Sequence, residues 1–163
     1  MIRLRPHHGM CLAYFEGKGY SDGFTGNMQH MLELLEKGAD VEMTVSGDEI
    51  CKACPNLKYG VCLSADLVEH YDRKVLEYCG LKERENLSFR DFVDNVQKNI
   101  IETGKRVEIC GGCQWNEICS RKESRTHLVM DNTIWISGTA GIYDLIYSVW
   151  NIMDVFWKGC RSD

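Results

Sequence analysis

The chain has 163 residues, 44% of them hydrophobic and 26% charged, which is enough apolar content for one domain with its own core. Its 19 basic and 24 acidic side chains give a net charge of -5, so it lacks the basic surface required by non-specific nucleic-acid binding or attachment to anionic lipid. The sequence shows no secretory leader and no run of about 18 apolar residues. We therefore expect a cytoplasmic protein with no non-specific nucleic-acid partner and no membrane segment.

The first 46 residues predict a small βααβ unit. Residues 2–5 form a β-prone run, and Pro6 then favours the first turn of a helix that continues to Phe15. Ser21 is a typical N-cap for a second helix, whose apolar residues keep helical spacing. Polar and apolar residues alternate over 41–45, as in a half-buried strand that can pair with the first strand.

Two more helices are expected in the middle of the chain, between two cysteine-bearing loops. Residues 47–63 are polar and without a period, which predicts a loop. Helices over 64–79 and 88–104 follow, each opened by a serine and closed by a glycine. Cys79 lies on the apolar face of the first of them, so we expect it in the core and not at a metal. Residues 110–119 form the second loop.

The last 43 residues differ in composition, since three of the four tryptophans lie there. We expect a strand over 133–136 and a helix over 142–157 that is apolar on two sides. This extension, residues 121–163, would pack on a cysteine-rich domain of residues 1–120 or form a homo-oligomer contact. The predicted fold is a small, mostly helical α+β domain with this aromatic extension.

The cysteines are the most informative feature of the composition. Nine cysteines in a chain without an export signal indicate a metal site more than a disulfide framework. Six of them form two triplets, Cys51-x2-Cys54-x7-Cys62 and Cys110-x2-Cys113-x5-Cys119. A Cys-x2-Cys turn directs two sulfurs to one point, which a metal requires and core packing does not. Reduced thiols acting as small core residues are a poor explanation for six cysteines in polar loops.

The spacing favours an iron–sulfur cluster over zinc. Structural zinc usually takes its ligands in two pairs, whereas each loop here offers three. Three ligands plus one from elsewhere suit a 4Fe–4S cube, and Pro55 and the glycines 111–112 are typical of cluster loops. The second triplet also has the Cys-x2-Cys-x5-Cys spacing of endonuclease III type DNA glycosylases, without their upstream fourth cysteine. Zinc is the alternative.

A second motif stands at the amino terminus, where His7 and His8 precede Cys11. On a helix that begins at Pro6, either imidazole can share a face with the thiol, and both can bind one metal. A histidine that activates the Cys11 thiol is a second interpretation. A solvent-exposed histidine pair beside a core cysteine is the third.

Together these motifs resemble the domain of unknown function 1284 family of small bacterial and archaeal proteins. The resemblance spans residues 1–119 and implies iron–sulfur binding, although it implies no reaction. The residues that carry it are Arg3-Leu4-Arg5-Pro6-His7-His8, Cys11, Gly17-Lys18-Gly19-Tyr20-Ser21, Asn27-Met28, Cys51, Cys54-Pro55, Cys62, Cys110-Gly111-Gly112-Cys113, Trp115 and Cys119.

We therefore expect the two loops to converge on a 4Fe–4S cluster used in electron transfer or redox sensing, with a redox partner protein or a small-molecule substrate. Candidate ligands are Cys51, Cys54, Cys62, Cys110, Cys113, Cys119, Cys11, His7 and His8. One alternative is a zinc-stabilised binding module. Another is an enzyme with a three-cysteine cluster, an open iron site and His7 or His8 as acid or base.

Overall fold

The structure is a computed structural model that describes residues 1–121. About 53% of this part is helical, with a few short strands, which confirms the predicted small α+β fold. Outside the described residues lie the strand over 133–136, the helix over 142–157 and the homo-oligomer contact, and the boundary near residue 120 stays a prediction. Among the described helices, none has the length and apolar content needed to cross a membrane.

The amino-terminal unit has the predicted βααβ order. Strand β1 (Ile2–Leu4) leads into α1 (Pro6–Leu12), which ends three residues before the expected Phe15. Helix α2 (Asp22–Glu36) is capped by Ser21, whose Oγ accepts the backbone N–H of Phe24. Strand β2 (Asp40–Met43) then pairs with β1 in parallel. Parallel strands require a crossover connection, and both helices lie in it.

A third strand completes the sheet. Strand β5 (Asn86–Ser88) pairs antiparallel with β2, so the strand order is β1-β2-β5. The sequence gives no warning of β5, because three residues are too few to show an alternating pattern. Ser88 also caps α4 (Phe89–Val96), which continues through a π-helical turn (Gln97–Ile101). Helix α3 (Ala65–Cys79) ends at Gly80, whose φ of 65° is the left-handed conformation that favours glycine.

Both cysteine-bearing segments are more regular than the predicted loops. The first contains a 3-10 turn (Cys51–Ala53) and a hairpin of β3 (Leu57–Lys58) and β4 (Val61–Cys62). The second contains two short helices, α5 (Arg106–Cys110) and α6 (Asn116–Arg121). Elements this short lack a detectable hydrophobic period, and the expectation of two irregular loops was therefore wrong in this detail.

Helix α1 lies against α3 and α4, in the interior of the domain. A side chain at Gly9 would overlap the ring of Phe92, which is itself fully buried on α4. Glycine therefore allows the two helices to approach closely. This packing fixes the helix that carries the histidine pair and Cys11.

Candidate functional site

A cavity of about 140 Å³ has four cysteines in its wall. Cys11 reaches it from α1, Cys110 from the end of α5, Cys113 from the turn that follows, and Cys119 from α6. The fold therefore joins the complete second triplet to a cysteine near the amino terminus. Aromatic side chains form much of the remaining wall, namely Tyr14, Phe15, Tyr20, Phe24, Tyr71 and Trp115.

Two consecutive turns set the positions of the triplet. The N–H of Cys113 donates to the carbonyl of Cys110 at 3.0 Å, and the N–H of Asn116 donates to that of Cys113 at 2.9 Å. The backbone N–H of Trp115 also donates to Sγ of Cys113 at 3.4 Å. Backbone N–H groups directed at a sulfur stabilise a thiolate, as they do in metal-binding turns.

Burial disfavours the thiolate form of Cys110 and Cys11. It raises the pKa of Cys110 to about 11. Burial also raises the pKa of Cys11, and the neighbouring Cys110, Cys119 and Cys113 add to this shift because thiolates repel one another. A cationic centre would remove both penalties by replacing the protons.

Arg106 supplies the positive charge nearest to the triplet. It is buried, it lines the cavity, and its guanidinium donates to Oδ1 of Asn116 at 2.9 Å and to Oγ of Ser120 at 3.2 Å. Within residues 1–121 it has no carboxylate partner. Its charge opposes the effect of burial on the pKa of Cys110 and of Cys119. A buried guanidinium that has no counter-ion among residues 1–121 therefore lies beside the thiols of this cavity.

The same cavity is lined by His7 and His8, and each imidazole is held by a buried aspartate. Nδ1 of His7 lies 2.7 Å from Oδ1 of Asp72, and Nδ1 of His8 lies 2.7 Å from Oδ2 of Asp48. Both carboxylates are completely buried. The imidazole rings are adjacent, with centroids 4.2 Å apart.

Asp72, on α3, also holds Arg5. The guanidinium reaches Oδ2 through Nε at 2.7 Å and through Nη2 at 2.6 Å. Burial and, to a smaller extent, the charge of the nearby His8 lower the pKa of His7 to about 4, so the His7 ring is neutral at pH 7. Because its Nδ1–H is donated to Asp72, Nε2 carries the free lone pair, and no described side chain bonds to that atom.

Asp48 occupies the corresponding position beside His8. Its Oδ2 accepts the backbone N–H of Arg5 at 2.8 Å, and its Oδ1 accepts that of Cys51 at 2.9 Å. Burial alone would raise the pKa of Asp48, but His8 and these two N–H groups hold it below the usual range. Burial and the Asp48 charge together raise the pKa of Cys51 to about 12.

The first triplet lies outside the cavity wall. Cys51 is buried beside Asp48, Cys54 is half-buried against the core, and Cys62 lies in β4. Of the seven predicted cysteine ligands, the structure thus brings Cys11 and the second triplet to one cavity, together with both histidines. Cys79 is buried in the core, as expected.

Sequence reasoning missed three charged residues of this region, Asp48, Asp72 and Arg106. Asp72 had a detectable signal, because it interrupts the apolar stripe of α3 between Val68 and Val75. A charge at such a position indicates a buried partner. Asp48 and Arg106 stand in segments without a period, and nothing local distinguishes them from exposed charges.

Comparison with known protein families agrees with this picture of a small cysteine-rich domain. The family profile described as "Protein of unknown function (DUF1284)" matches residues 19–119 of the 163. The chain belongs to this family. The DUF1284 match includes both cysteine triplets and begins after the histidine pair and Cys11. No curated protein and no solved structure matches the chain.

One further group in this DUF1284 chain has metal-binding geometry. The ligand atoms of His8, Asp48 and Cys51 all lie within 4.8 Å of one another, and these residues can hold a metal ion. In the described part of the chain, this is the one set of three or more potential ligands that meets that distance. No three of the cavity cysteines are therefore so close together.

Proposed function

We propose that this DUF1284 protein binds one 4Fe–4S cluster in the cavity and transfers single electrons through it. The proposed ligands are the four cysteines of the cavity wall, Cys11, Cys110, Cys113 and Cys119. The observation that carries the proposal is the presence of these four thiols, from two distant parts of the chain, around one small cavity. Four cysteine thiolates are the usual ligand set of such a cluster.

The lack of a tight set of three cavity sulfurs favours a cluster over a single zinc ion. Four thiolates on one zinc at about 2.3 Å lie about 3.8 Å from one another. The cavity cysteines contain no set of three within 4.8 Å in the described chain. In a 4Fe–4S cube each thiolate binds a different iron, so the sulfurs are held farther apart. On this ground we propose the larger centre, in which the four sulfurs need not meet at one ion.

The surroundings of the cavity support a redox role. Its wall is largely aromatic, and Arg106 places a positive charge beside the proposed cysteine ligands, where it would stabilise the negative charge that reduction adds to the cluster. Tyr20 and Trp115 contact each other edge to face, with centroids 5.4 Å apart, and Tyr20 is 42% exposed. This aromatic pair joins the cavity wall to the surface, where a redox partner protein would exchange electrons.

Anaerobic reconstitution with ferrous iron and sulfide tests the proposal. We expect brown protein with four irons and four sulfides per chain and a broad visible absorbance that dithionite bleaches, because thiolate-to-iron charge transfer accompanies ligation. Colourless protein with stoichiometric zinc and no sulfide would instead favour a zinc-stabilised binding module and contradict the proposal.

A cluster enzyme is the second candidate, and the presence of both histidines in the same wall favours it. In that case the second triplet binds three irons and Cys11 is not a ligand. The fourth iron is then open to a substrate, with His7 or His8 as acid or base. Cyanide added to the dithionite-reduced protein separates the two functions. A changed electron paramagnetic resonance spectrum indicates an open iron, whereas an unchanged spectrum indicates four thiolate ligands and an electron carrier.

A further inference from the structure

A second compact set of potential metal ligands is formed by His8, Asp48 and Cys51. It shares no residue with the four cavity cysteines. An imidazole nitrogen, a carboxylate oxygen and a sulfur lie within 4.8 Å of one another, with Asp48 and Cys51 buried and His8 half-buried. We propose that these residues bind a divalent ion of the zinc class, as a second metal centre of the protein. This proposal does not depend on the cluster.

The three donors are positioned before any ion arrives. The backbone N–H groups of Arg5 and Cys51 bond the two oxygens of Asp48 and fix the carboxylate plane. His8 is fixed on α1, and Cys51 begins the 3-10 turn. Zinc–ligand distances of about 2.0–2.3 Å place ligand atoms about 3–4 Å apart. Nδ1 of His8 now lies 2.7 Å from Oδ2 of Asp48, so the ion would replace this hydrogen bond, and a small movement of side chains within the observed 4.8 Å is sufficient.

Asp48 is a buried carboxylate that a bound cation would stabilise. Its carboxylate is completely buried, and in the described chain its one ionic partner is the His8 ring. The Arg5 guanidinium lies nearby, but its charge is balanced by Asp72. A buried carboxylate is costly unless positive charge compensates it. A divalent ion bound by the Asp48 carboxylate and the Cys51 thiolate makes the group electroneutral.

Binding displaces two protons, one at His8 and one at Cys51. The proton between Nδ1 of His8 and Asp48 moves to Nε2 or to solvent, which frees the Nδ1 lone pair for the ion. The second exchange is at Cys51. The S–H bond breaks, its proton leaves to solvent, and the sulfur's electron pair forms the bond to the ion. The nearby Arg5 guanidinium favours the thiolate, because its charge opposes the effect of burial on the Cys51 pKa. Deprotonation of a ligating thiol by the incoming metal is the usual course of such binding.

The donor set defines the class of ion. Magnesium and calcium prefer oxygen ligands throughout, whereas mixed nitrogen, oxygen and sulfur donors suit zinc and neighbouring transition metals. Three protein ligands also leave one tetrahedral position for water or a substrate oxygen, which is typical of catalytic zinc sites.

The test measures zinc on the full chain carrying its reconstituted cluster, so that the cavity cysteines are occupied. Protein is incubated with zinc and desalted, and zinc, iron and sulfide are counted per chain. Competition with a chromophoric chelator then gives the affinity. We expect one zinc per chain in the unmodified protein and an affinity at least about 100-fold lower in Cys51→Ser, with iron unchanged, because a hydroxyl replaces a thiolate ligand.

Cys79→Ser is the matched control, since Cys79 is also a buried thiol with a raised pKa but lies in the core away from the three donors. Its zinc affinity should equal that of the unmodified protein. His8→Gln is a second variant that should show the same loss as Cys51→Ser, should the latter fold poorly.

Three results overturn the proposal. The first is the absence of tightly bound zinc in the unmodified protein. The second is a zinc affinity in both Cys51→Ser and His8→Gln equal to that of the unmodified protein. The third is a loss of iron in Cys51→Ser, which would make Cys51 a cluster ligand. If no cluster forms, the iron and sulfide counts show that failure of the proposed function. The zinc count still tests this proposal, because the unmodified protein should bind one zinc more than Cys51→Ser.

Discussion

Nδ1 of His7 lies 2.7 Å from Oδ1 of Asp72, whose carboxylate is completely buried between α1 and α3. The same carboxylate accepts the backbone N–H of His7 at 3.0 Å and two bonds from the Arg5 guanidinium. One side chain of α3 therefore holds both the start of α1 and the arginine before it. The position of Cys11, further along α1, depends on this charged contact as well as on apolar packing.

Replacing Asp72 by asparagine should destabilise the protein strongly. The amide cannot balance Arg5, and a buried ion pair that loses one partner costs about 3–5 kcal/mol. Urea unfolding followed by circular dichroism measures the change in the free energy of unfolding. Glu69→Gln is the control, because Glu69 and Arg73 form an exposed pair on the same helix, and its loss should cost under about 1 kcal/mol. Equal effects of the two substitutions would contradict a structural role for the buried pair.

Acid should weaken the fold through His7. Burial lowers the pKa of His7 to about 4, against about 6.5 in the unfolded chain, so the unfolded state binds the extra proton first. Stability is therefore complete above pH 6.5 and decreases as the pH falls towards 4, by at most about 3 kcal/mol. Urea unfolding at several pH values measures the slope. His7→Asn keeps a donor for Asp72 but has no titrating ring, so an unchanged slope in this variant would assign the effect to another group.

Part of this architecture follows directly from the sequence. The helices α2 and α3, the pairing of β1 with β2, and the core position of Cys79 agree with caps and hydrophobic spacing, which are local signals. The meeting of Cys11 with Cys110 depends on how α1 packs against α3 and α4, and no local pattern contains that information. The spacing of each triplet is also uninformative about which sulfurs share a cavity.

Two glycine substitutions test the packing that fixes α1. An added methyl group at Gly9 would overlap the ring of Phe92, and overpacking of this kind costs about 1–3 kcal/mol. Gly26 lies exposed in α2 with nothing within 4 Å of an added Cβ, so Gly26→Ala should stabilise the protein by about 0.5–1 kcal/mol. Thermal unfolding distinguishes the two, and a neutral Gly9→Ala would contradict the close approach of α1 and α4.

Serine substitutions should separate the proposed cluster ligands from the other cysteines. We expect Cys11→Ser and Cys113→Ser to lower the iron bound per folded chain after anaerobic reconstitution, because oxygen is a harder and less acidic ligand than a thiol. Cys62→Ser should keep its iron, since Cys62 lies in β4 outside the cavity wall. Full iron in Cys11→Ser together with loss in Cys62→Ser would move the proposed ligand set to the first triplet.

Arg106 should set the reduction potential of the proposed cluster. Its guanidinium is buried beside Cys110 and Cys119 and has no carboxylate partner in the described chain, so it interacts with the charge that reduction adds. Arg106→Gln retains the ability to donate to Asn116 but removes the positive charge. We expect the potential to fall by several tens of millivolts, since about 59 mV corresponds to 1.4 kcal/mol for one electron. Lys105→Gln is the control, because Lys105 precedes Arg106 but packs over the half-buried ring of Tyr78. Anaerobic redox titration of both variants measures the difference, and equal potentials would show that Arg106 acts only in packing.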